Sequence, residues 1–179
     1  MTVPADATTV TGDLRAYLPA FGQHDVVALR VGGGTTSGPL GVRRTFVMGG
    51  LDNVGDVINF NRDAFGLLRG FPVNTFAGSR VALVNADYRL PLARPERGVG
   101  TWPLFLRSIH ATIFADAGHA WSDGFASRDI KTSLGGELVF DLIAGYSLPV
   151  SVALGAAVGH DGSTSSEHTM VYGRFSRTF

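Results

Sequence analysis

Arg69 stands between Leu68 and Gly70 in the run Leu-Leu-Arg-Gly-Phe-Pro, residues Leu67–Pro72, just ahead of a strand-like segment. A turn needs the Gly and the Pro, but it has no use for a guanidinium, so Arg69 raises the question of what it reaches. The chemistry it offers is a planar, always charged fork that grips carboxylates in bidentate fashion. Other residues suggest catalysis and carry it less far. Asp116 and Glu137 are paired carboxylates of the kind a glycosidase uses. His160–Ser166, "HDGSTSS", holds Ser, His and Asp, but adjacency in sequence is not triad geometry. Arg30–Gly38, "RVGGGTTSG", lacks the lysine and the following helix of a phosphate cradle and reads as a strand end or bulge. The five histidines, His24, His110, His119, His160 and His168, show no i, i+2 or i, i+4 pair, so no metal site is expected. Neither a Gly-x-Ser-x-Gly elbow nor a His-Glu-x-x-His occurs. The chain is expected to be no enzyme and to need no cofactor.

Composition bounds the scaffold. Charged residues are 17%, below the usual level of about 25%. Glycine is 24 of 179 residues, well above its usual share, and there are 12 phenylalanines. This suits a single β-rich domain with tight turns and an apolar exterior. The formal net charge is zero, which gives no support for a nucleic-acid partner. Without cysteine there is neither a disulfide framework nor a thiolate metal site. "MTVPADATTVTGD" is not a secretory signal, so an exported protein is here in a processed or truncated form.

Period-two alternation predicts about seven strands and no convincing helix. They fall near Thr8–Leu18, Asp25–Gly34, Ser79–Leu90, Leu104–Ala117, Lys131–Ile143, Pro149–Val158 and Thr169–Phe179. The uncharged run Leu142–Gly159 approaches the length of a membrane helix, but Pro149 and "AGYSLP" make it two strands and a hairpin. The alternation sets Asp13, Arg15, Arg30, Asp87, Arg89, His110, Asp116, Glu137 and Asp141 on the side opposite the apolar stripe. Two architectures fit. In a soluble sandwich the apolar face points in; in a membrane barrel it meets lipid and the charges meet in a wet lumen. Strands of 10 residues or more, and short connections ("PAFGQH", "AGYSLP") alternating with longer ones (Thr35–Gly78, "HAWSDGFASRD", "GHDGSTSSEHT"), favour the membrane barrel. "LARPERGVGTW" is longer than that rule prefers.

The series "FVMGG" (Phe46–Gly50), "LLRGFP" (Leu67–Pro72), "ALVNADYRLPL" (Ala82–Leu92), "IFADAGHAW" (Ile113–Trp121) and a terminal Phe179 resembles the bacterial surface antigen family, from about Asp25 onward. That family is the C-terminal barrel of BamA-like and TamA-like insertion proteins, two-partner-secretion transporters and patatin-fused outer-membrane proteins. The resemblance implies an all-β, antiparallel transmembrane barrel in the bacterial outer membrane. It implies that the loop over residues 35–78 folds into the lumen, where Arg69 of Arg69-Gly70-Phe71 docks on acidic wall residues. Its Phe-x-Asp-x-Gly motif matches Phe114, Asp116 and Gly118, with Glu137 as a second acid on the same face. Gly70 would allow a sharp turn and Phe71 would fill an apolar notch. An arginine dock accounts for Asp116 and Glu137 with fewer assumptions than a catalytic dyad. The C-terminal "MVYGRFSRTF" is similar to an outer-membrane assembly signal, with Val171, Gly173, Phe175 and Phe179 on one side and Arg177 interrupting.

Family transporters have about sixteen strands behind soluble POTRA domains, whereas this chain has about seven or eight strands and no POTRA pattern. It is expected to be the C-terminal half of such a barrel, a short member or a small closed barrel. "RRTFVMGG" is a candidate eighth strand. The partners implied are the lipid bilayer, a second copy or the missing barrel strands, and an unfolded outer-membrane or secreted protein if it transports. The alternatives are a structural anchor barrel and a soluble β-sandwich binding module.

Overall fold

A computed structural model describes residues 6–20, 22, 24–39, 41–50 and 67–177. The chain forms β1 (Thr8–Pro19), β2 (Val26–Ser37), β3 (Phe46–Met48), β4 (Phe76–Gly78), β5 (Arg80–Ala93), β6 (Arg97–Gly98), β7 (Leu104–Trp121), β8 (Lys131–Ala144), β9 (Leu148–Asp161) and β10 (Ser166–Arg177). The only helical element among the described residues is one 3-10 turn, Ser127–Asp129. No helix among them is long and apolar enough to cross a membrane. The uncharged run around Pro149 is a hairpin, with Pro149 opposite Ile143 across the Gly145–Ser147 turn.

One antiparallel sheet of eight strands dominates. Its path is the meander β1-β2-β5-β7-β8-β9-β10, with β6 paired to β7. All seven expected strands lie on this path, most of them running a few residues longer. The sheet is not closed: β1 and β10 are its two edges. "FVMGG" does not add to the sheet. Its β3 pairs only with β4, in a separate ribbon, because its buried Phe46 and Met48 turn toward the large sheet instead of extending it. The eighth strand is β6, which uses part of "LARPERGVGTW" to extend the hairpin into β7. The expected long loop around Gly162 is also shorter than read. Asp161 accepts hydrogen bonds from the Ser163 amide (2.9 Å) and hydroxyl (2.7 Å), closing a tight turn between β9 and β10.

Register alternation divides the sheet into two unlike faces. On one, Leu14, Val31, Val84, Ile113, Leu134, Leu138, Leu154, Val158, Val171 and Phe175 remain exposed, Leu134 at 62% and Val171 at 83%. On the other, Asn85, Thr112, Asp116, Ser133 and Glu137 are buried. Folding has therefore covered the polar side and left the apolar side bare, the reverse of an ordinary soluble sheet.

The cover is the loop between β2 and β5. Its ribbon and the Leu68–Phe71 turn form the apolar core with Val81 and Leu83 of β5, a cluster of Phe46, Met48, Leu68, Phe71, Val81 and Leu83. Small residues beneath admit it. A Cβ on Gly159 would stand 2.7 Å from the Phe71 ring, and one on Gly34 2.7 Å from Phe46. Gly32–Gly34 are thus mid-strand residues, and Gly34 makes room for the loop.

Candidate functional site: an arginine docked on the covered face

Gly70 lies at φ +88°, in the left-handed region that disfavours a side chain, and a Cβ there would stand 3.0 Å from the Gly159 amide nitrogen of β9. That turn presses Phe71 onto β9 and directs Arg69 across β5, β7 and β8. Residues Gly50 and Leu68 form an isolated bridge that braces the approach, with the Gly50 amide donating to the Leu68 carbonyl at 3.0 Å. Residues 51–66 of the expected lumen loop lie outside the described part of the chain.

Arg69 binds Asp116 three times. Its backbone amide donates to Oδ2 at 3.1 Å, Nε donates to Oδ2 at 2.9 Å, and Nη2 donates to Oδ1 at 2.7 Å. Nη2 also donates to Asp87 Oδ1 at 2.7 Å. Cζ lies 3.5 Å from the centroid of the Phe114 ring, a stacked cation–π contact. Glu137 completes the ring of acids, with Oε1 3.9 Å from Nη1. Burial alone would lower the Arg69 pKa; Asp116 and Asp87 outweigh that and raise it above its ordinary value. The guanidinium therefore stays charged at any pH the fold survives.

The acids are themselves held. Asn85 Nδ2 donates to Asp116 Oδ1 at 2.8 Å and to the Leu67 carbonyl at 3.0 Å, tying the wall to the loop backbone. The Ser133 hydroxyl lies 3.3 Å from Asp116 Oδ2. Glu137 accepts from the Tyr172 hydroxyl at 2.7 Å and from Arg174 Nη2 at 2.9 Å. Arg89 pairs with Asp87 at 3.2 Å. Three arginines thus face three carboxylates. Near-neutrality matters because an uncompensated buried charge would cost several kcal/mol.

Of the expected site residues, Arg69, Gly70, Phe71, Phe114, Asp116 and Glu137 come together. Gly118 does not touch Arg69. It lies two residues along β7, where a Cβ would stand 2.7 Å from the Met48 sulfur, so it seats the ribbon. Val171, Gly173 and Phe175 share the bare face of β10, and Phe179 lies outside the described residues. Sequence reasoning put Asn85, Asp87 and Arg89 on the side opposite the apolar residues of their strand without joining them to the dock, and it missed Tyr172 and Arg174. The signal for these two was the parity of β10, where they alternate with Val171, Gly173 and Phe175.

Asp116 is paired with Arg69 and Glu137 with Arg174. Asp161 and Ser163 close their own turn. Among the described residues no three His, Asp or Glu side chains converge as a metal would require. His110 Nδ1 stands 3.4 Å from Asp141, whose oxygens accept from Ser108 (2.7 Å) and Ser151 (2.6 Å). No protein-family model, curated protein or solved structure matches the chain.

Proposed function

We propose that this chain is an outer-membrane β-barrel, or the C-terminal half of one, of the protein-insertion and secretion type. The observation that carries the reading is the inverted sheet: aliphatic side chains stand bare on one face while a charge network lies buried under a loop on the other. Lipid would cover the bare face, and the covered face would line the lumen. The meander strands span 12 to 18 residues, enough to cross a bilayer on a tilt, which takes about 9–11. Exposed aromatics stand near both ends, Trp102, Phe105 and Tyr146 at one and Phe125 at the other, as interfacial girdles do. A soluble sandwich would need a second layer on the apolar face, and among the described residues that face is bare.

The edges require partners. With seven strands in the meander, β1 and β10 run in the same direction. An all-antiparallel barrel then closes only with an odd number of further strands, so missing barrel strands fit better than simple self-closure. A second copy is the other candidate. The loop docked across the covered face also favours a plugged barrel, which would act as a structural anchor.

Refolding the chain into phosphatidylcholine vesicles tests the reading. A barrel gives protease-resistant, membrane-extracted protein with heat-modifiable gel mobility; a chain that stays in the aqueous fraction overturns it. Conductance across the same vesicles, and accelerated insertion of a second outer-membrane protein, separate the transport role from the anchor role.

A further inference from the structure

His119 stands two residues before the end of β7 and is only 7% exposed. Its Nδ1 is buried with no hydrogen-bond partner among the described residues. Two rings cover it. Trp121 lies parallel to the imidazole, with centroids 5.3 Å apart and planes at 13°. Phe125, from the connection between β7 and β8, meets both rings edge-on, 5.7 Å from His119 and 5.2 Å from Trp121.

That connection is pinned on either side of Phe125. The Ser79 amide donates to the Ser122 hydroxyl oxygen at 3.2 Å, and Lys131 Nζ donates to the Asp129 carbonyl at 2.7 Å. Between the pins, Gly124 has open space where a side chain would stand, and Phe125 is 56% exposed. Phe125 is thus a short flap between two fixed points, laid over His119 by ring contacts.

Neutral imidazole tolerates a partnerless Nδ1, because that nitrogen can keep a lone pair while Nε2 carries the proton. An imidazolium donates from both nitrogens, and the closed cluster gives Nδ1 no acceptor. Burial opposes a charge here first and the Lys131 ammonium of β8 second, while Asp129 of the 3-10 turn and Asp161 of β9 act the other way. Each of those carboxylates has a cation of its own, Arg128 at 3.7 Å from Asp129 and Lys131 at 3.4 Å from Asp161. Arg80 of β5 sits opposite Trp121, and Asp123 is on the flap itself. The Trp121 face would attract an imidazolium, but a buried N–H⁺ without an acceptor costs more than that contact returns. The closed cluster therefore holds an extra proton less well than an open one in which water reaches Nδ1, and falling pH favours opening.

We propose that His119 and Phe125 form a proton-operated latch on the β7–β8 connection. It is shut while His119 is neutral, and it opens when the imidazole takes a proton and Phe125 swings out to admit water. The latch needs only the fold, whichever medium covers the bare face.

The chain carrying Trp102→Phe keeps Trp121 as its single tryptophan. In phosphatidylcholine vesicles it is taken from about pH 8 to about pH 5, the range in which histidine changes charge. Trp121 emission should fall and shift to the red as water and the imidazolium reach the indole. Amide exchange over residues 123–126, corrected for its intrinsic pH dependence, should rise by up to about tenfold per pH unit, the limit for a one-proton switch, while β7 stays protected. Both changes should vanish on adding His119→Phe, which keeps a ring in the stack and has nothing to titrate; if that variant does not refold, His119→Gln takes its place. A flat profile in the parent, or a transition that survives the loss of His119, overturns the latch. So does an emission change without faster exchange over residues 123–126, since the imidazole would then be protonated with the flap shut. If the chain stays out of the vesicles, the membrane reading fails, and the same titration in the aqueous fraction decides the latch by itself.

Discussion

The backbone amide and the side chain of Arg69 both end on one carboxylate, that of Asp116, 47 residues away in the sequence. An ordinary salt bridge fixes only a side-chain tip. Here the loop backbone is fastened as well, so the register of the Leu68–Phe71 turn against β7 is set by the same acid that neutralises the guanidinium. Asn85 adds a second fastening by binding Asp116 and the Leu67 carbonyl at once.

Arg69→Ala should release the loop. Asp116 would be left buried and unpaired, a loss of about 3–5 kcal/mol. Limited trypsin digestion followed by mass mapping should then show fresh cleavage at Arg43 and Arg44, and an unchanged digestion pattern would sink the dock. Arg69→Lys should give an intermediate result, since an ammonium keeps the charge but cannot hold Asp116 and Asp87 from one fork.

A double-mutant cycle with Arg69→Ala and Asp116→Ala isolates the pair. The two changes should couple by about 1–3 kcal/mol in urea unfolding, the double variant being less damaged than the two single losses added together. Strict additivity would mean that the contact is incidental.

Gly159→Ala tests the notch for Phe71. The new methyl group would stand 2.7 Å from the ring, against a backbone that cannot retreat. Overpacking of this kind costs about 1–3 kcal/mol. The Phe71→Ala background should relieve it, so the substitution should cost much less there than in the parent chain.

Tyr172→Phe removes one of the two donors that tie β10 to Glu137. A hydrogen bond to a charged acceptor is worth about 1.5–3 kcal/mol, so β10, an edge strand, should show faster amide exchange while β7 is unchanged. Uniform exchange across both strands would place the cluster outside the tether.

Leu154→Arg discriminates between environments for the bare face. In a bilayer it should lower folding stability by about 2–4 kcal/mol near the midplane. If water covers that face, the same change should be close to neutral, because Leu154 is already 56% exposed.

Much of this was legible from residue order. Period-two alternation placed every strand of the meander, since a side chain's face in a strand depends only on its parity. That parity also set Asp116 and Glu137 together, opposite Leu134, Leu138 and Leu154. Glycine, proline and polar clusters marked the connections, though the hydroxyl-rich stretch after Asp161 read as a loop when its side chains close a four-residue turn.

What alternation could not determine is which face would be covered, because swapping inside for outside leaves the pattern unchanged. Only the tertiary structure decided that, by laying the Arg69 turn over the polar side. The choice of partners was equally beyond local reading: Asp87, Tyr172 and Arg174 reach the cluster through pairings set by the sheet order. Gly118 shows the converse, a motif residue whose neighbour, Met48, comes from a distant ribbon. Parity is a property of the chain alone, but contact between residues far apart depends on how the whole sheet assembles.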